Sequence, residues 1–98
     1  MEKNTPHSKL AIVKALIESG KVRVTQSARQ GAYALDMQHD DMIATVMNLA
    51  SADFYKSMTT HDDHRVWQDV YRPKTRFGDV YLKLTVIDDV LIVSFKEL

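Results

Sequence analysis

The sequence predicts an α+β domain: N-terminal helices packed on one face of a C-terminal antiparallel sheet of at least three strands. Three observations carry this. Apolar residues recur at helical spacing from Leu10 to Ile17 and again from Met42 to Leu49. From His64 onward the apolar period changes to two. The C-terminal stretch from Asp79 to Glu97 is then dominated by β-branched and aromatic side chains around the turn-tolerant pair Asp88-Asp89.

The 98 residues suffice for one hydrophobic core, so residues 1–98 are expected to form a single domain. Apolar side chains make up 45 %, which fits a folded chain rather than a disordered one. No apolar run approaches the ~20 residues that span a bilayer, and Met1 to His7 lacks the pattern of a signal peptide. Zero cysteines leave no disulfide framework and no thiolate metal site, so a cytoplasmic location is expected. Thirteen basic and thirteen acidic residues cancel, which excludes a polycation; nucleic-acid binding would need a local patch.

In chain order, Ser8 is the expected cap of a first helix whose stripe is Leu10, Val13, Leu16 and Ile17, and Gly20 is its expected stop. Lys21 to Val24 reads as an extended connector. Thr25 is the expected cap of a second helix over Gln26–Leu35, weakened by Gly31. A third helix starts at His39 or Asp40, with Met42, Ile43, Val46, Met47 and Leu49 on its apolar face and Asp40 and Asp41 suiting the helix dipole. Ser51 would cap a short fourth helical turn over Ala52–Lys56. His64 to Arg72 alternates as a strand, and Pro73 and Gly78 bracket the link to the next one.

In the terminal hairpin, a two-residue loop at Asp88-Asp89 sets Ile87 against Val90, Lys83 against Ser94 and Tyr81 against Lys96. Alternation then puts Val80, Leu82, Leu84, Val86, Leu91, Val93 and Phe95 toward the helices. Tyr81, Lys83, Thr85, Ile87, Val90, Ile92, Ser94 and Lys96 take the other face. Such a face is most often solvated surface. A preceding hairpin pairing Arg72 with Phe77, one register of several, would set Gln68 beside Tyr81 and Lys96. Arg72, Lys74 and Arg76 would then stand at one end, with Lys83 on the face itself. Basic groups beside an aromatic would suit a phosphate-rich ligand with bases to stack, although three charges in a loop are more often simply solvated.

Three stretches, Asp53-Phe-Tyr-Lys-Ser-Met-Thr-Thr60, Trp67-Gln-Asp-Val-Tyr-Arg-Pro73 and Val80 to Glu97, closely resemble the MqsR family of bacterial type II toxins. Met1-Glu-Lys, Thr5-Pro-His and the chain length are similar too, whereas Gly20 to Ala50 is more divergent. The resemblance implies a RelE-like fold and a ribosome-independent mRNA endoribonuclease favouring GC-containing triplets such as GCU. It carries the family's catalytic set onto Lys56, Gln68, Tyr81 and Lys96; Arg72, Lys74, Arg76 and Lys83, singled out by their own pattern, are the RNA-binding candidates. The implied partners are messenger RNA and a cognate MqsA-like antitoxin that binds zinc and carries a helix-turn-helix. Promoter DNA would be met only through the antitoxin complex, and no membrane is involved.

Metal-free RNA cleavage uses the 2′-hydroxyl as nucleophile and needs a base, cations for the developing charge and an acid for the leaving oxygen. The expectation is that Lys56 and Lys96 stabilise charge, one of them serving as base if neighbouring cations lower its pKa. Tyr81 would donate to phosphate or stack on a base, and Gln68 would orient the phosphate or the 2′-hydroxyl. No cofactor or metal is expected: His61-Asp-Asp-His64 has ligand-type residues but reads as a polar loop without the helical spacing of zinc enzymes. The alternative is a non-catalytic RNA- or protein-binding regulatory module using the same sheet face.

Overall fold

A computed structural model describes all residues from Met1 to Leu98. Its elements are β1 (Glu2–Lys3), α1 (Leu10–Glu18), β2 (Val22–Val24), α2 (Gln26–Tyr33), α3 (His39–Met47), a 3-10 turn (Ser51–Asp53), β3 (Phe54–Thr59), β4 (Trp67–Tyr71), β5 (Lys74–Thr75), β6 (Gly78–Ile87) and β7 (Asp89–Glu97). The sheet runs β1-β3-β4-β6-β7-β2, with β5 pairing β6 off that path. This is the expected α+β architecture. Every pairing is antiparallel except β2 with β7, so the Lys21–Val24 connector is in fact a parallel edge strand. No helix is long and apolar enough to cross a membrane.

The helices stand on one face of the sheet. Val13 and Ile17 of α1, Ala28 and Ala32 of α2, and Met42 and Val46 of α3 meet Val80, Leu82, Leu84, Val90, Ile92 and Phe95 in one buried cluster. Thr25 caps α2 as expected, its hydroxyl accepting from the Ala28 N–H at 3.0 Å. Gly20 ends α1 at φ 80°, where a side chain would be strained. Gly31 has another purpose than the one its helix propensity suggests: a Cβ there would lie 1.9 Å from the Phe95 carbonyl oxygen. The missing side chain lets α2 lie directly on β7.

The first cap differs from expectation, while α3 starts at His39 as expected. Helix α1 starts after Lys9 with no side-chain cap; Ser8 precedes the cap position, and its N–H donates to Asp69 at 3.0 Å. At the start of α3 the Asp41 carboxylate accepts from the Gln38 N–H at 2.9 Å. The expected helical turn over Ala52–Lys56 shrinks to Ser51–Asp53, and Phe54 onward is strand β3. Strand β4 begins at Trp67 rather than His64, since Thr60 and Asp63 close a turn through Thr60 Oγ1 before it.

The terminal hairpin turns on one residue, not two. Asp88 takes φ 66° and Ile87 pairs with Asp89. Asp tolerates this left-handed conformation because its short polar side chain hydrogen-bonds locally. From the turn, Val86 pairs with Val90 and Leu84 with Ile92, so Val90 and Ile92 face the core and Leu91 and Val93 do not. This reverses the expected faces of those four residues. An irregularity after Lys83 then lets β7 gain one residue on β6: Lys83 meets Ser94, Leu82 meets Phe95 and Tyr81 meets Lys96. The far half of the hairpin therefore has the expected pairs.

Candidate active site

Lys56, Lys83, Tyr81 and Lys96 all stand on the sheet face away from the helices. Lys56 pairs with Val70, Val70 with Lys83 and Lys83 with Ser94, giving one row across four strands. At ~4.8 Å per strand that row spans roughly 14 Å. Tyr81 and Lys96 form the pair two residues along, toward the β5 end. The Lys96 and Lys83 ammonium groups lie 5.5 Å and 5.9 Å from the centre of the Tyr81 ring. A phenol flanked by two ammonium groups offers a hydrogen-bond donor inside a cationic field.

A β-bulge explains how Lys56 gets there. Phe54 pairs with Tyr71 and packs edge-on against it in the interior, whereas the next pair is Lys56 with Val70. Tyr55 is the extra residue. Without it Lys56 would occupy an inward position, since strand residues alternate faces. Tyr55 is left 42 % exposed, and the Arg72 guanidinium carbon sits 3.9 Å above its ring. The sequence placed Lys56 on a helical turn outside the sheet; it lies on β3, beside the other candidates.

Lys56 has a partner that the sequence reading missed. Its Nζ donates to Glu2 Oε1 at 2.6 Å. Strand β1 delivers this carboxylate by pairing antiparallel with β3, Glu2 against Met58 and Lys3 against Ser57. The hydrogen bond to Glu2 holds the Lys56 ammonium above the ordinary lysine value against a desolvation effect of opposite sign, and the phenols of Tyr55 and Tyr81 add to the rise. The same bond holds the Glu2 carboxyl below the usual carboxylate range. The expectation that cations might depress a lysine thus fails for Lys56, which is pushed toward its charged form.

Gln68 is not beside Tyr81. The observed register sets Asp69 against Leu84 and Tyr71 against Leu82. One further step puts Gln68 next to Thr85, roughly 14 Å along the strand from Tyr81 at ~3.4 Å per residue. Gln68 pairs instead with Met58, which pairs with Glu2, so it shares a row with the carboxylate. The basic trio also divides. Arg72 covers Tyr55 at the site, while Arg76 reaches to within 3.7 Å of Asp41 on α3. Lys74 and Arg76 line a cleft of about 390 Å³ with Thr45, Asn48 and Asp53 on the helical side.

Asp69, inward-facing on β4, is buried and holds the N-terminal segment. It accepts from Ser57 Oγ at 2.6 Å and from the His7 and Ser8 N–H groups at 3.0 Å each. His7 stacks on Trp67 and the Lys3 ammonium lies 4.1 Å above the same ring. In the His61–His64 loop, Asp63 is spent on the Arg65 N–H and guanidinium, and nowhere do three His, Asp or Glu side chains converge as metal ligands.

Residues 5–97 match the protein family described as "Motility quorum-sensing regulator, toxin of MqsA". The chain is also 57 % identical over 97 residues to the mRNA interferase toxin MqsR of Escherichia coli (strain K12), with 99 % of each chain covered.

Proposed function

This chain belongs to the MqsR toxin family, and we infer that it is the mRNA interferase of a toxin–antitoxin pair, an endoribonuclease that stops growth by cutting messenger RNA. The observation that best supports this reading is the convergence of Lys56, Tyr81, Lys83 and Lys96 on one solvent-facing sheet surface, with Arg72 over Tyr55 at its margin. Such a surface can neutralise a phosphodiester backbone and offer a ring to a base.

In the mechanism proposed, the 2′-hydroxyl attacks the adjacent phosphorus without a metal, and the reaction needs no ribosome. Lys56, held charged by Glu2, and Lys96 stabilise the negative charge that grows on the phosphoryl oxygens. Tyr81 donates to phosphate from between the ammonium groups. Gln68, one row from Lys56, orients the nucleotide whose 2′-hydroxyl attacks; Arg72 and Lys83 bind the strand at the site, and Lys74 and Arg76, in the cleft beyond the β5 end, bind it further along. Cleavage is proposed to favour GC-containing triplets such as GCU. The partner is an antitoxin, proposed to be a zinc-binding, helix-turn-helix protein that carries the complex to promoter DNA; the toxin acts in the cytoplasm.

Expression in a growing bacterium should arrest growth unless the antitoxin is co-expressed, and sequencing of RNA 5′ ends should return the preferred triplet. With purified protein, Lys56→Ala should slow RNA cleavage by ~100- to 1000-fold and Lys96→Ala by ~10- to 100-fold. An RNA carrying 2′-deoxy sugar at the cleavage position should stay intact. A folded Lys56→Ala variant that cuts at the parent rate would remove the assignment and favour a non-catalytic binding module.

A further inference from the structure

Attack by a 2′-hydroxyl requires a group that is unprotonated at neutral pH. Lysine, arginine and tyrosine, with ordinary values near 10 or above, are protonated there. The histidines are elsewhere: His7 is stacked on Trp67, His39 opens α3, and His61 and His64 lie in the β3–β4 connection. The carboxylate in direct contact with Lys56 is that of Glu2; Asp79, which alternation also puts on this face, lies beyond Tyr81 on β6. Resting on the endoribonuclease reading above, we propose that Glu2 is the general base of the reaction.

Three features of the fold support it. Glu2 is on a strand, not a loose terminus: Glu2 and Lys3 pair with β3, the Thr59 N–H donates to the Met1 carbonyl at 3.0 Å, and buried Asp69 fixes His7 and Ser8. Its side chain is 59 % exposed, open to a ligand, yet set by the 2.6 Å contact with Lys56. An acidic group beside a phosphate site costs affinity for RNA, and a base is the role that offsets this cost. The chemistry balances as follows. The 2′-hydroxyl proton passes to the Glu2 carboxylate, the 2′-oxygen bonds to phosphorus, and the bond to the 5′-oxygen breaks. The leaving oxygen takes a proton from the opposite end of the site, where Tyr81 and Lys96 stand. The products are a 2′,3′-cyclic phosphate and a 5′-hydroxyl. Lys56, on the Glu2 side, spans the phosphoryl oxygens.

The test is Glu2→Gln, with Glu2→Asp beside it, assayed for cleavage and for binding of an uncleavable 2′-deoxy-substituted RNA. The glutamine variant should cut ~100- to 1000-fold more slowly. It should bind RNA as tightly as the parent or more so, because a negative charge has gone from a cationic face. Glu2→Asp should retain part of the rate. In the parent, kcat/KM should fall on the acid side with a midpoint below the usual carboxylate range, because Lys56 depresses the Glu2 pKa; the glutamine variant should lack that limb. A Glu2→Gln protein cutting within ~3-fold of the parent with the limb intact overturns the proposal and leaves the nuclease reading standing. A parallel loss of binding and rate marks Glu2 as a strut for β1 and also overturns it. A parent protein that cuts no RNA removes the nuclease reading itself.

Discussion

The two faces of the sheet treat charge in opposite ways. On the inner face Asp69 is buried, and its two oxygens take three donors, from Ser57, His7 and Ser8. On the outer face the charges outnumber their partners: Lys56 has Glu2, while Lys83 and Lys96 flank an aromatic ring and Arg72 lies on another. A buried carboxylate must be satisfied inside the protein, because leaving it unpaired would cost several kcal/mol. Exposed cations face no such demand and stay available to a phosphate. Adjacent residues of β4, Asp69 and Val70, thus serve stability and the site separately, because side chains alternate across the strand.

The separation depends on the irregularities in β3 and β7. Each shifts the alternation by one residue and turns a lysine outward while an aromatic, Phe54 or Phe95, stays inward. Removing one is the most severe way to break the comparison. Deletion of Val93 from β7 would exchange the faces of Phe95 and Lys96 if the turn end keeps its register. Phe95 is 1 % exposed, and losing its burial should cost about 3–5 kcal/mol. Val93→Ala keeps the residue count and should cost about 1 kcal/mol. Urea midpoints of the two variants would show whether the extra residue or its side chain matters; equal midpoints would mean that the bulge can migrate.

The inner carboxylate gives the next effect. Asp69→Ala leaves Ser57 Oγ and two backbone N–H groups without their acceptor. The expected loss is about 3 kcal/mol of stability. Because the same bonds tether the segment that precedes α1, β1 should loosen as well, and hydrogen exchange at Lys3 and Thr59 should accelerate. The cleavage rate should then fall through displacement of Glu2 from Lys56. Lys83→Ala on the outer face should do the reverse, weakening RNA binding with stability changed by less than about 0.5 kcal/mol.

What was legible in the sequence follows the same division. The α+β order, the Thr25 cap and the Gly20 stop come from local patterns that the structure repeats, whereas Tyr81 faces Lys96 only because the extra residue in β7 offsets the one-residue turn. The middle of the hairpin was misread because an unbroken alternation was assumed; a bulge has no signature in Lys83-Leu84 or Val93-Ser94. The β3 strand was misread because Ser51 to Lys56 has a capping residue and a short apolar stretch, which suit a helical turn as well as an edge of sheet. Its pairing with β4 and β1 decided the matter, and those contacts are long-range. Glu2 was invisible for the same reason: nothing near residue 2 in the chain announces Lys56, and only the antiparallel β1–β3 register joins them. Gly31 was legible as a weak helix residue, while its reason, the Phe95 carbonyl, lies on the last strand.

The smallest expected effect tests whether the inner face tolerates any polar group without a partner. Tyr71 is fully buried on β4, two residues from Asp69 on the same face, and its hydroxyl has no hydrogen-bond partner. Burial, and then the Asp69 charge, push the phenol up to about 12. In the unfolded chain a tyrosine ionises near 10, so above that pH the unfolded state gives up a proton that the folded state keeps. Stability contributed by this group is therefore complete below about pH 10 and is lost as pH rises toward the folded value. Tyr71→Phe removes both the orphaned hydroxyl and the titration. At pH 8 the variant should match the parent or exceed it by about 1 kcal/mol, since a buried unsatisfied hydroxyl is itself unfavourable. At pH 11 the gap in urea midpoint should widen in favour of phenylalanine. A parent more stable than Tyr71→Phe at pH 8 would mean that the hydroxyl gains a partner in solution, and the inner face would then satisfy every polar group it buries.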